Sequence, residues 1–125
     1  MPALTAGQIE YLRSQPLARL ATADAAGSPH VVPVRFSVSA DGRFIETGGR
    51  QFGTTKKYRD IRSNPRVAIV VDDIASVNPW SPRGIEVRGT AELQDPGDSA
   101  TGGDQPWVRI APERVVSWGI EETSS

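Results

Sequence analysis

Cysteine is absent from the 125 residues, so the chain has neither a disulfide nor a thiolate metal site. Histidine occurs once, at His30, which excludes a multi-histidine metal centre. No apolar run approaches the roughly 18 residues that a membrane-spanning helix needs. The opening MPALTAGQIEYLRSQP lacks the basic-then-apolar pattern of a secretory signal. These absences predict a soluble, cytoplasmic protein with no membrane partner. An excess of one charge is missing too: 14 Lys and Arg stand against 15 Asp and Glu, a net charge of −1. That gives no overall electrostatic reason to expect a nucleic-acid partner. There is no Gly-x-Ser-x-Gly elbow, no Gly-x-x-x-x-Gly-Lys-Ser/Thr loop and no Gly-x-Gly-x-x-Gly fingerprint. Serine-hydrolase, P-loop and dinucleotide-fingerprint readings therefore fall away.

What is present suits one domain with a modest core, for which dimerisation is a natural addition. Thr5 can cap a first helix carrying Ile9, Tyr11 and Leu12, which Pro16 ends. Strands are predicted at Leu17–Thr22, Pro29–Val38, Arg43–Thr47, Val67–Asp72, Gly84–Leu93, Trp107–Ile110 and Val115–Ile120. Asp24–Ser28 and Asp41-Gly42 read as hairpin turns, and Pro112-Glu113-Arg114 as a further turn. Pro29 and Pro33 mark the second strand as an edge or a bulge. The run Val67–Val71 predicts a strand buried on both faces. Ile74–Pro82 reads as an irregular loop around Trp80, Asp95–Gln105 as a mobile polar loop, and Glu121–Ser125 as a frayed end. Short strands at regular spacing with two short helices argue for a small antiparallel barrel, mainly β in an α+β chain.

The most informative stretch runs from Thr47 to Asp73. Thr47-Gly48-Gly49 ends a strand, and the two glycines allow close approach of another group to the backbone. Arg50, Lys56, Lys57, Arg59 and Arg62 follow, with Thr54 and Thr55 among them, before Asn64-Pro65 stops the helix. Hydroxyls, lysines and the free N–H groups of a first helical turn together suit a phosphate or another anion. A basic helix is equally able to be a solvated face. His30 reads as a structural or surface residue, with direct proton transfer as the sharper alternative. Asp72-Asp73 reads as a solvated pair. Trp107 and Trp118 suit a core or a dimer interface, whereas Trp80, in its proline-rich loop, could cover a planar ligand. With no nucleophile in view, a groove beside an anion clamp fits a cofactor that brings its own reactivity.

The order of motifs resembles the split β-barrel family related to pyridoxamine 5′-phosphate oxidase. The residues that carry the resemblance are LARLATADAAGSPHVVPVRF, FIETGGRQFGTTKKYRDIRSNPRVAIVVDD, RGIEVRGTAEL and RIAPERVVSWGIE, from about Leu17 to Glu121. Within it the chain resembles the flavin/deazaflavin oxidoreductases (B type) that use coenzyme F420, including a sub-branch with reductases of late tetracycline-type biosynthesis. The resemblance implies a six- to seven-stranded antiparallel split barrel with two short helices, of the FMN-binding type. It implies a homodimer with cofactor sites at the interface and a conjugated small-molecule substrate that receives a hydride. Carried over by position, Lys57 and Lys56 would meet the cofactor's anionic part, and Thr54 and Thr55 its phosphate. Thr47, Gly48 and Gly49 would line it through the backbone, and Val32, Pro33 and Val34 would face the ring. Trp80 and Arg83 would lie near the mouth, and Trp118 could reach across the dimer. FMN in place of F420, and a non-catalytic carrier of flavin or haem, are the alternatives. Phe52-Gly53 and the Asp95–Gln105 loop depart from the family pattern, the latter implying a more open site.

Overall fold

A computed structural model describes residues 3–49, 52–96 and 105–120. The expectations for Arg50, for residues 97–104 of the polar loop and for residues 121–125 lie outside them. Seven strands form one antiparallel sheet: β1 Ala18–Ala23, β2 Pro29–Val34, β3 Phe36–Val38, β4 Ile45–Thr47, β5 Arg66–Ser76, β6 Ser81–Gln94 and β7 Trp107–Trp118. Their spatial order is β2-β1-β5-β6-β7-β4-β3. β2 and β3 are consecutive in the chain, with only Arg35 between them, yet they occupy opposite ends of that order. One residue spans at most about 3.5 Å. The sheet must therefore curl until its two outer strands almost meet, which gives a split barrel. Arg35 is pinned there, because the buried Thr47 hydroxyl donates to its carbonyl at 2.6 Å.

Inside the curl, Leu20, Ile45, Ile69, Ile85, Val87, Val108 and Ile110 make one apolar cluster. The alternation in the sequence sets this: Ala18, Leu20 and Thr22 of β1 point inward, and Arg19 and Ala21 do not. Trp107 joins the buried set, with its indole N–H donating to the Asp95 carbonyl at 3.1 Å.

Four segments differ from the sequence expectation. The single strand predicted over Pro29–Val38 is two, because its halves pair with different neighbours, β1 and β4. The loop predicted over Ile74–Pro82 is mostly strand: β5 and β6 run on to Ser76 and Ser81 around a tip at Val77–Trp80. The turn predicted at Pro112-Glu113-Arg114 is a bulge within one continuous β7, where Arg114 faces Arg88 and Pro112 faces Gly89. Proline is tolerated at such a break in the ladder. Gly89 is required opposite it, since a Cβ there would strike the Ala111 carbonyl oxygen. Nor is β5 buried on both faces: Val67, Ile69 and Val71 face the core while Ala68 and Val70 lie half-exposed outside.

The helices dock at opposite places. α1, Ala6–Arg13, opens with a capping box between Thr5 and Gln8. Its Tyr11 hydroxyl donates to Asp73 at 2.8 Å, and Arg83 grips the same carboxylate from Nε and Nη2 at 2.7 and 2.9 Å. Asp72 pairs with Arg19 at 3.0 Å, so neither aspartate of the expected solvated pair is unpartnered. α2, Lys56–Ser63, turns Ile61 and Asp60 inward. Asp60 is 3% exposed and accepts from the Thr22 hydroxyl at 2.8 Å and from Lys56 Nζ at 3.0 Å. Burial pulls its pKa upward, but the Lys56 and Thr22 hydrogen bonds outweigh that and hold it below the ordinary carboxylate value. Among the described residues no helix is long and apolar enough to cross a membrane.

Two measurements test this frame. Thr47→Val keeps the shape of the side chain but leaves the Arg35 carbonyl unpaired. It should cost about 1–2 kcal/mol in urea unfolding, and an unchanged midpoint would show that Arg35 needs no pin. Burial, then the hydrogen bond to Asp73, raises the Tyr11 pKa. An unfolded tyrosine loses its proton near pH 10 while the folded one keeps it, so stability should fall as pH rises above about 10. Ultraviolet titration should show a phenol that stays protonated until unfolding and that disappears in Tyr11→Phe.

Candidate functional site

One group of the expected residues gathers where the curl closes. On the edge strand β2, Val32 is half-buried, Pro33 exposed and Val34 buried, so their sides alternate. Arg35 carries the chain from there to the Thr47 hydroxyl, so β2 and the Thr47-Gly48-Gly49 corner are neighbours. Thr47 itself is fully buried and its hydroxyl is committed to Arg35. Gly49 has φ +148, and beyond its chain neighbours no atom of the described residues lies within 4 Å of where its Cβ would stand. The backbone there faces open space that a bound group can enter.

The chain then makes a 3-10 turn at Phe52–Thr54 and enters α2. Thr55 is the N-cap: its hydroxyl accepts from Tyr58 N at 3.2 Å and donates to the Phe52 carbonyl at 2.7 Å. Thr54 is exposed, and its carbonyl accepts from Arg59 at 3.3 Å. Lys56 is spent on the buried Asp60. Lys57 is different. It is half-buried, its Nζ stands 5.4 Å from the Phe52 ring centroid, and it has no carboxylate partner among the described residues. Burial pushes its pKa down from the ordinary lysine value. A cation that has lost water without gaining a counter-charge costs stability until an anion arrives. Lys57, the first-turn N–H groups of α2 and the open Gly49 backbone thus fit an anionic, phosphate-bearing group.

The second group lies elsewhere. Trp80 is 66% exposed at the β5–β6 tip, Trp118 is 39% exposed at the end of β7, and Arg83 stands between them on β6. Trp118 is opposite Gly84, where any Cβ would collide with the indole. Thr47 is opposite Val108, ten residues back along β7 from Trp118, and ten strand residues cover ~33 Å. One chain therefore does not bring Trp80, Arg83 and Trp118 to the Lys57 corner. A cavity of about 520 Å³ at that far end takes Arg83 and Tyr11 into its walls.

Sequence reasoning missed Asp60 and Tyr11. Asp60 stood in a basic run, and its four-residue spacing from Lys56 was the available signal. Tyr11 finds its partner 62 residues away, which no local pattern carries. His30 is half-buried beside Thr22 in register, with a buried Nδ1 that has no hydrogen-bond partner among the described residues.

The profile of the pyridoxamine 5′-phosphate oxidase family matches residues 5–119. A 5a,11a-dehydrotetracycline/5a,11a-dehydrooxytetracycline reductase of Streptomyces rimosus is 40% identical over 124 residues, covering 94% of this chain and 84% of that one. Among solved structures, a conserved hypothetical protein of Mycobacterium tuberculosis superposes with TM-score 0.70 at 23% identity, covering 89% of this chain and 81% of its own. An FAD binding protein of Mycobacterium smegmatis does so with TM-score 0.69 at 23% identity, covering 94% and 97%. The curled sheet closed at Arg35, the glycine corner before a basic helix and a match over nearly the whole length make one case: the chain belongs to the pyridoxamine 5′-phosphate oxidase family.

Proposed function

We propose that the chain is an oxidoreductase that uses coenzyme F420 to reduce a conjugated double bond of a small molecule. The observation that carries the reading is Lys57, a half-buried cation without a counter-ion among the described residues, beside an open glycine backbone. The reductase that is 40% identical supports the reaction class. Hydride chemistry belongs to the cofactor when it is bound. The chain's own share is to hold it and keep water away: Lys57 and the first turn of α2 take the phosphate, Gly48 and Gly49 let the ring system close on the backbone, and the exposed Pro33 of β2, backed by Val32 and Val34, provides an apolar edge.

The choice between cofactors turns on how many cations remain. Lys56 is committed to Asp60 and the Thr55 hydroxyl to its cap, which leaves a clamp sufficient for the single phosphate of FMN. Arg59 and Arg62 favour F420. They line a cleft of about 320 Å³ on the outer face of α2 and have no carboxylate partner among the described residues. Such a pair suits the carboxylates of a long anionic tail.

The same reading makes the protein a homodimer. Leu17, Val31, Val116 and Trp118 are large apolar side chains left exposed on the curled sheet, and a second copy is what would cover them. The partner's far end would also supply the aromatic cover that the Lys57 corner lacks.

Fluorescence titration with F420 and, in parallel, FMN tests the assignment. F420 should bind more tightly than FMN, and Lys57→Ala should weaken it about 10- to 100-fold, the worth of one charge-assisted contact. The melting temperature should hold or rise, because a desolvated cation is removed. Unchanged affinity in that variant would sink the site, and preference for FMN would move the protein to the oxidase side of the family. Tight binding without reduction of any conjugated acceptor would make it a carrier. Light scattering at micromolar concentration should give a dimer; a monomer removes the shared site.

A further inference from the structure

Lys57 is a half-buried cation, and a lysine in that state ordinarily gains a carboxylate, loses its proton or swings its ammonium into water. Lys56, one residue earlier, takes the first course with Asp60. Lys57 has a ring instead. Its Nζ stands 5.4 Å from the centroid of Phe52, inside the roughly 6 Å over which an aromatic face attracts a cation. The difference matters for recognition. A carboxylate would cancel the charge and compete with an incoming anion. A ring stabilises the ammonium, excludes water from one side of it and leaves its net charge intact.

Phe52 is built in as a fixed platform. It is 1% exposed, and its ring lies against Tyr58 at 5.6 Å. Its N–H donates to the Gly49 carbonyl at 3.1 Å, and its carbonyl accepts from the Thr55 N–H and hydroxyl at 3.1 and 2.7 Å. The next residue, Gly53, donates its N–H to the Gln105 side chain at 3.3 Å, which ties the turn to the approach of β7. One residue thus joins the open glycine backbone, the cap of α2 and the ammonium. The ionisable neighbours on α2 are engaged elsewhere: Lys56 with Asp60, Arg59 with the Thr54 carbonyl, and Tyr58 with Phe52 and Arg62. The 3-10 turn, and Gln105 and Pro106 that pack on it, carry no ionisable side chain.

We infer that Phe52 is the positioning residue of the Lys57 corner: its ring keeps the ammonium charged and in place for an anion. The part about the anion rests on the cofactor reading; the pairing of ring and ammonium does not.

Lys56 and Lys57 are the two lysines of the chain, so labelling with [13Cε]lysine gives two resonances, one of them an internal control. Phe52 is replaced site-specifically by 3,4,5-trifluorophenylalanine, which keeps the ring but erases most of its negative face. The Lys57 resonance, identified by its loss in Lys57→Met, should titrate about half a pH unit lower than in the wild type. The Lys56 resonance should behave alike in both proteins. 4-Fluorophenylalanine, the gentler replacement, should give a smaller shift in the same direction. Fluorination should lower the melting temperature more in the wild-type background than in Lys57→Met. F420 should bind the trifluoro chain about threefold more weakly, because the anion must then order a released side chain. A Lys57 titration that ignores the ring, one that moves together with that of Lys56, equal melting changes in both backgrounds, or unchanged F420 affinity would each overturn the inference. Any of these together with loss of F420 binding in Lys57→Ala would leave the cofactor reading standing. A titration that follows the ring in a chain that takes neither F420 nor FMN would keep the pairing and discard the cofactor reading.

Discussion

A single residue between β2 and β3 constrains everything else. Because Arg35 alone links strands at opposite ends of the sheet order, the sheet has no freedom to stay open. The Thr47 hydroxyl fixes that link from inside the core. Closure places the edge strand β2 beside the glycine corner after β4, and the corner in turn aims the chain into α2. Asp60 completes the arrangement by tying α2 to Thr22 of β1. A buried carboxylate is a costly tie unless it is paired, and here a hydroxyl and a lysine both serve it. The Lys57 corner is thus built on backbone geometry first and on charged side chains second.

The basic block shows why counting charges misleads. Its lysines, arginines and threonines looked interchangeable as candidates for an anion. In the fold they divide by what else they must do. Thr55 caps α2, Lys56 neutralises Asp60, and Arg62 lies over Tyr58. Lys57 alone of the two lysines is left with an aromatic neighbour and lost hydration. A helix needs its cap and its internal ion pair to exist at all, so only the remainder is available for recognition.

Local signals made much of this legible. The alternation of Ala18, Leu20 and Thr22, the Thr5 cap of α1 and the stop of the basic helix at Asn64-Pro65 are all events within a few residues, and the fold carries them as read. What failed were judgements that depend on distant partners. Pro29–Val38 looked continuous because nothing in it says that its halves pair with different strands. Pro112 looked like a turn because the glycine that accommodates it, Gly89, lies on another strand. Val67–Val71 looked doubly buried because its outer residues, Ala68 and Val70, are as apolar as its inner ones. Arg83, which the sequence left ahead of the fifth predicted strand, lies within β6, and the sequence could not show that the expected site residues fall at two ends of one chain.

That separation follows from strand length. β5, β6 and β7 have 11, 14 and 12 residues, about twice the usual strand, so they carry Trp80, Arg83 and Trp118 well beyond the closed part of the barrel. Exposed apolar side chains such as Val31 on β2 and Val116 on β7 are a hazard for a lone chain, which would show them to water and to chance pairing. The two-fold axis of the proposed homodimer would remove the hazard, with a geometric consequence. Under two-fold symmetry whatever one chain's far end offers its partner's near end is offered back. In the proposed homodimer, an extended sheet that would be wasteful in a monomer would become the means of assembling two complete sites from four incomplete halves.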